Sequence, residues 1–123
     1  MADSSKHFSR AELQCSKTGE CNMSATFLER LELLRAAYGR PMRLSSAYRE
    51  WPLHPAEAHK NEPGKHALGV AVDVLVHGKD ALDLLALALD HGFNGIGVSQ
   101  RDKNRKNRFL HLDMREDGAI WSY

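Results

Sequence analysis

The residues able to do chemistry are His66, Asp73, His111 and Asp113, with Arg49 upstream of them. Asp73 lies inside Gly69-Val70-Ala71-Val72-Asp73-Val74-Leu75-Val76, which reads as one β-strand. Strand side chains alternate, so Val70, Val72, Val74 and Val76 form one row and Gly69, Ala71, Asp73 and Leu75 the other. A second strand, Arg108 to Met114, repeats the pattern, with Leu110, Leu112 and Met114 on one face and Phe109, His111 and Asp113 on the other. A carboxylate in an apolar strand loses hydration at a cost on the order of several kcal/mol unless it is paired or bound to metal. If the two strands are neighbours, His66, Asp73 and His111 converge. Two imidazoles and one carboxylate suit zinc and leave the fourth tetrahedral position to water, as catalytic zinc sites do. Taken singly, either histidine reads as a surface or hydrogen-bonded residue. The joint face parity is what favours a metal.

Other reactive side chains have plainer readings. Arg49 can grip a carboxylate or an oxyanion in two-point geometry, or pair with Glu50 at the surface. His54 and His59 fall in a loop and read as surface residues or substrate contacts. Cys15 and Cys21 read as free thiols, with a disulfide as the alternative. Arg101, Lys103, Arg105 and Lys106 form a basic run that could touch phosphate or a wall polymer, or be a solvated turn.

The elements that must hold these residues follow from spacing. Residues 1–7 are expected to be a flexible polar lead, and 8–123 a single domain. Ser9 caps a short helix over Arg10–Gln14. Ser24 caps a long one from Ala25 to Tyr38, with Phe27, Leu28, Leu31, Leu34 and Tyr38 at helical spacing, ended by Gly39 and Pro41. Met42 to Tyr48 reads as a strand with Ser45 on the face of Arg43 and Arg49. Glu50 to Lys65 is a loop that can wall a cleft. Asp80 to His91 is a second long helix, apolar nearly all round and so expected to be deeply packed. Asn94 to Val98 is a short strand. The expected fold is α+β: a small, mostly antiparallel sheet flanked by the two long helices on its valine-bearing face.

Composition excludes several classes. With 17 Lys and Arg against 16 Asp and Glu, the net charge of +1 offers no basic field for nucleic acid and no strong pull towards anionic lipid. No segment has the length and apolarity of a membrane span. The polar N-terminus lacks a signal-peptide core, so the chain is expected in the cytoplasm as synthesised. It reads as a monomer. No phosphate-binding loop and no nucleophile elbow occur.

His66, Gly69, Ala71 and Asp73, followed by His111 and Asp113, form a His-x-x-Gly-x-Ala-x-Asp … His-x-Asp pattern. It resembles the zinc D-Ala-D-Ala carboxypeptidase family, which includes phage peptidoglycan endopeptidases and the hedgehog signalling domain. Ser45-Ser46-Ala47-Tyr48-Arg49 resembles that family's Ser-Gly-Tyr-Arg segment. His54 to Ala58 and Trp121-Ser122-Tyr123 resemble its short phage-encoded members. The resemblance runs from Phe8 to the C-terminus. It implies a hedgehog-like fold, a zinc ion on His66, Asp73 and His111, and substrate contacts from Arg49, Ser45 and Tyr48. It also implies a peptidoglycan stem peptide as substrate, cut at L-Ala–D-Glu or at D-Ala–D-Ala. Such an enzyme acts on the wall after release, as in phage lysis. One position departs from the pattern: many relatives carry an acid three residues before the last zinc histidine, where this chain has Arg108. Asp113 is then either the general base or a group that orients a ligand. The departure also admits a zinc-bearing binding module without turnover, and a metal-free structural protein of a virion is a further alternative.

Overall fold

The computed structural model describes residues 2–123. Helices α1 (Arg10–Leu13) and α2 (Ala25–Tyr38) precede strands β1 (Arg43–Ser46) and β2 (Ala71–Leu75). Helix α3 (Gly78–Asp90), β3 (Gly95–Ser99), a 3-10 turn at Arg105–Asn107, β4 (Phe109–Asp113) and β5 (Ala119–Ser122) follow. The five strands form one sheet in the order β1-β2-β4-β3-β5. All neighbours are antiparallel except β3 and β5, which run parallel. This is the small α+β architecture expected from the sequence.

Helix α2 starts where Ser24 Oγ accepts the Phe27 N–H at 3.2 Å. It stops at Gly39, whose φ of +70° suits a residue without a Cβ. Its apolar stripe packs with Phe93, Val72, Val74, Leu110 and Leu112 into one core, and Phe27 meets Phe93 edge-on at 5.6 Å. The even-numbered residues of β2 and β4 therefore face the helices, and the odd-numbered ones face away.

Three expectations need correction. Helix α3 is not deeply packed: Ala81, Leu84 and Ala88 are its buried residues, while Leu82 and Leu89 are 68% and 56% exposed. It lies in an outer layer against α2 and β4, so its far side meets solvent whatever its composition. Gly69 is not in a strand. It sits at φ +74° in the turn before β2, where its carbonyl accepts the Ser24 N–H and a Cβ would lie 2.4 Å from the Asn22 carbonyl oxygen. Strand β1 is shorter than Met42–Tyr48, and its pairing with β2 slips between Leu44 and Ser46. That bulge reverses the parity, so Ser46 and not Ser45 stands opposite Asp73. The closing strand β5 had no reading in the sequence.

The polar lead is tied to the body. Ala2 bridges Met23, and Ser5 and His7 bond the Glu32 carboxylate.

Candidate metal centre

Asp73 on β2 and His111 on β4 are directly opposed partners in an antiparallel ladder, on the face away from the helices. His66 enters from the turn before β2. That turn is closed by the Gly69 N–H to the His66 carbonyl and the Leu68 N–H to the Gly64 carbonyl. Its ring is aimed by the backbone beyond β1, since His66 Nδ1 donates to the Ala47 carbonyl at 2.6 Å. His66 Nε2 then stands 3.3 Å and His111 Nδ1 3.0 Å from the same oxygen, Asp73 Oδ1. All three residues are 5% exposed, and their ligating atoms lie within 4.8 Å of one another.

The hydrogen bond to Ala47 fixes the tautomer of His66. A carbonyl can only accept, so His66 carries its proton on Nδ1 and leaves a lone pair on Nε2. His111 has a carboxylate at each ring nitrogen, Asp113 2.6 Å from Nε2 and Asp73 3.0 Å from Nδ1, so with no metal bound the ring can donate to both. A metal ion here would take the place of the Nδ1 proton, while Asp113 keeps the proton on Nε2 and aims the Nδ1 lone pair at the ion. Donors around a tetrahedral zinc ion with bonds of about 2.0–2.1 Å stand about 3.3 Å apart, close to the 3.3 and 3.0 Å that separate the two imidazole nitrogens from Asp73 Oδ1. His66 Nε2, Asp73 Oδ1 and His111 Nδ1 therefore fit a zinc ion.

The surroundings reinforce the charges. Burial alone would raise the Asp73 pKa, but the imidazoles of His111 and His66 beside it outweigh burial and hold the carboxyl well below the usual range. Burial likewise opposes the His111 imidazolium, yet Asp113 and Asp73 raise the His111 pKa above its ordinary value. Asp73 Oδ2 accepts Arg49 Nη2 at 3.1 Å, and Arg49 Nε donates to Ser46 Oγ at 2.9 Å. Asp113 is fully buried and accepts Nε and Nη2 of Arg115 as well as His111. Burial pushes its pKa up, and Arg115 and His111 together bring it down to about 2. Strand β3 makes room for this carboxylate, since a Cβ on Gly95 would lie 1.8 Å from Asp113 Oδ1.

The centre opens into a cleft lined by Arg49, Lys60, Lys65 and Arg115, with Trp121 and Tyr123 from the end of the chain. Arg49 and Arg115 are held by Asp73 and Asp113, and Lys60 is paired with Glu57 at 2.7 Å. Lys65 makes no ion pair among the described residues.

His66, Asp73, His111, Asp113 and Arg49 are therefore brought together. Ser45 and Tyr48 are not: Ser45 is exposed at the bulge, and Tyr48 is half-buried beside α1, where its N–H bonds the Leu13 carbonyl. His54 accepts the Ala56 N–H, and His59 is exposed. Arg108 turns into its own loop to bond the Asp102 carbonyl. Both cysteines are free. Sequence reasoning missed Arg115, although parity with His111 and Asp113 points to it. It also missed Glu57, a buried acid that accepts the Gly64 N–H and so braces the approach to His66. Ala47 acts through a backbone carbonyl and leaves no side-chain signal.

The sheet and the donor set define a small α+β protein built around a His–Asp–His metal centre. The family model described as Peptidase M15 matches residues 6–113, and the chain belongs to that family. Membership makes it a metallopeptidase by family, with zinc the metal its donors suit. No curated protein matches the chain.

Proposed function

We propose that this protein is a zinc-dependent peptidase acting on the stem peptide of peptidoglycan, at the L-Ala–D-Glu or the D-Ala–D-Ala bond. The observation that carries the reading is the convergence of three metal-ligating side chains at the floor of a cleft lined with cations. When bound there, zinc is a Lewis acid that polarises a peptide carbonyl and acidifies water. His66, Asp73 and His111 hold it. Asp113 keeps the His111 proton on Nε2, and Arg115 keeps Asp113 ionised; these contacts favour the orienting role for Asp113 over that of general base. Arg49 steadies Asp73 and borders the cleft, where it can meet an oxyanion or a carboxylate. Lys65 adds a positive charge that no protein carboxylate cancels, which suits a substrate rich in carboxylates. The runs that resemble short phage-encoded members support a setting in phage-type lysis, with the enzyme meeting the wall after release.

The test is mass spectrometry of purified peptidoglycan after incubation with the zinc-loaded protein, with and without chelator. New fragments that vanish with chelator are expected, and their masses report the bond.

A second reading, a zinc-bearing binding module without turnover, has one observation in its favour. No carboxylate lines the cleft, because Asp73, Asp113 and Glu57 are all committed to partners. An intact wall in the presence of stoichiometric zinc would select it.

A further inference from the structure

Charge is spread unevenly along this nearly neutral chain. Residues 101–108 hold Arg101, Lys103, Arg105, Lys106 and Arg108 against Asp102 alone. The segment carries +4, so the rest of the chain carries −3, for the total of +1. Neither Arg43 nor any of these five cations makes an ion pair among the described residues.

The loop presents them from a fixed backbone. Asp102 Oδ1 accepts the Asn104 N–H at 2.8 Å, and Asn104 Oδ1 accepts the Lys106 N–H at 3.1 Å. Gln100 Nε2 bonds the Val76 and Phe109 carbonyls at the base. Arg105 and Lys106 then line one groove with Arg43 and His77, floored by Leu75 and Val76. Leu75 is two residues beyond Asp73 on the same strand face, and its partners across the sheet are Phe109 and Arg43. At about 3.3 Å per residue the groove begins about 7 Å along the sheet from the metal centre.

Three positive groups, Arg43, Arg105 and Lys106, around a concave surface, with no protein acid to meet them, fit a chain of regularly spaced anions. The loop offers no aromatic side chain on which a base could stack. It offers no apolar side chain to enter a bilayer either. From the patch and its place beside the metal centre we infer that this groove docks the phosphodiester backbone of a polyol-phosphate wall polymer, and so holds the protein on the wall independently of the metal centre.

The probe is fluorescently labelled poly(glycerol phosphate), titrated with the zinc-loaded protein at several salt concentrations. Three phosphate contacts on a flexible chain give a log–log salt slope of about −2. Arg105→Gln with Lys106→Gln is expected to weaken binding at least ten-fold at low salt, on the order set by two lost phosphate contacts, and to flatten the slope by about 1.4. Arg43→Gln, on a different element, is expected to weaken binding as well, and Lys17→Gln, exposed and not among the groove's lining residues, to leave it unchanged. Undiminished affinity in both the double variant and Arg43→Gln overturns the inference. So does tighter binding to single-stranded DNA, or to anionic phospholipid vesicles, than to the polymer. None of these outcomes depends on peptide hydrolysis, so they stand apart from the wall digest above.

Discussion

The two faces of the β2–β4 ladder share one backbone and nearly equal burial, yet they are held together differently. On the helix side Val72, Val74, Leu110 and Leu112 meet other apolar groups, and every contact is attractive wherever the atoms happen to touch. On the other side Asp73, His111 and Asp113 are just as hidden, but their contacts are directional. One face is complete as folded, whereas the other gathers three side chains that can ligate one ion. Glu57 marks the contrast, since it is equally buried but has its oxygens taken up by Lys60 and the Gly64 N–H, with no histidine beside it.

Four changes would break or sharpen this contrast. The largest effect is expected from Asp73→Ala. It should abolish stoichiometric zinc, read by metal analysis of protein purified without a His-tag, and with it all hydrolysis. Leu112→Ala on the opposite face should cost about 2–5 kcal/mol in urea denaturation while the folded protein keeps its zinc affinity. A parallel loss of zinc affinity would show that the faces are not separable. Asp113→Asn should weaken zinc about 10–100-fold, or about 1.4–2.7 kcal/mol, in competition with a chromophoric chelator, and the fold should persist. Full zinc affinity with lost turnover would instead make Asp113 the base. Glu57→Gln should cost about 1.5 kcal/mol at pH 7. The Glu57 pKa is lowered from its ordinary 4.5, because hydrogen bonds from Lys60 and Gly64 outweigh the upward push of burial. Its stabilisation is therefore present above pH 4.5 and is lost as the pH falls through the folded-state value. The gap between wild type and variant in urea melts should narrow on acidification.

Much of this contrast was legible in the sequence. Alternation alone put Asp73, His111 and Asp113 on one face and the valines on the other. Ser24 and Gly39 marked both ends of α2. What escaped depended on distance along the chain. The bulge at Ser45 shifts one residue and so exchanges Ser45 for Ser46, and nothing in Arg-Leu-Ser-Ser announces it. The exposure of Leu82 and Leu89 depends on which layer α3 occupies, which composition does not encode. Strand β5 is four residues long, and its Ile120 points to solvent at 75% exposure, so it carries no apolar signature. The Ala47 carbonyl that orients His66 belongs to the backbone, which every sequence has in common.

Gly95 couples β3 to the strand beside it through the space it leaves empty. A Cβ there would lie 1.8 Å from Asp113 Oδ1, so even alanine would have to push aside the carboxylate that steadies His111. Substitutions along the outer side of α3, where Leu82 and Leu89 already face water, meet no such obstacle.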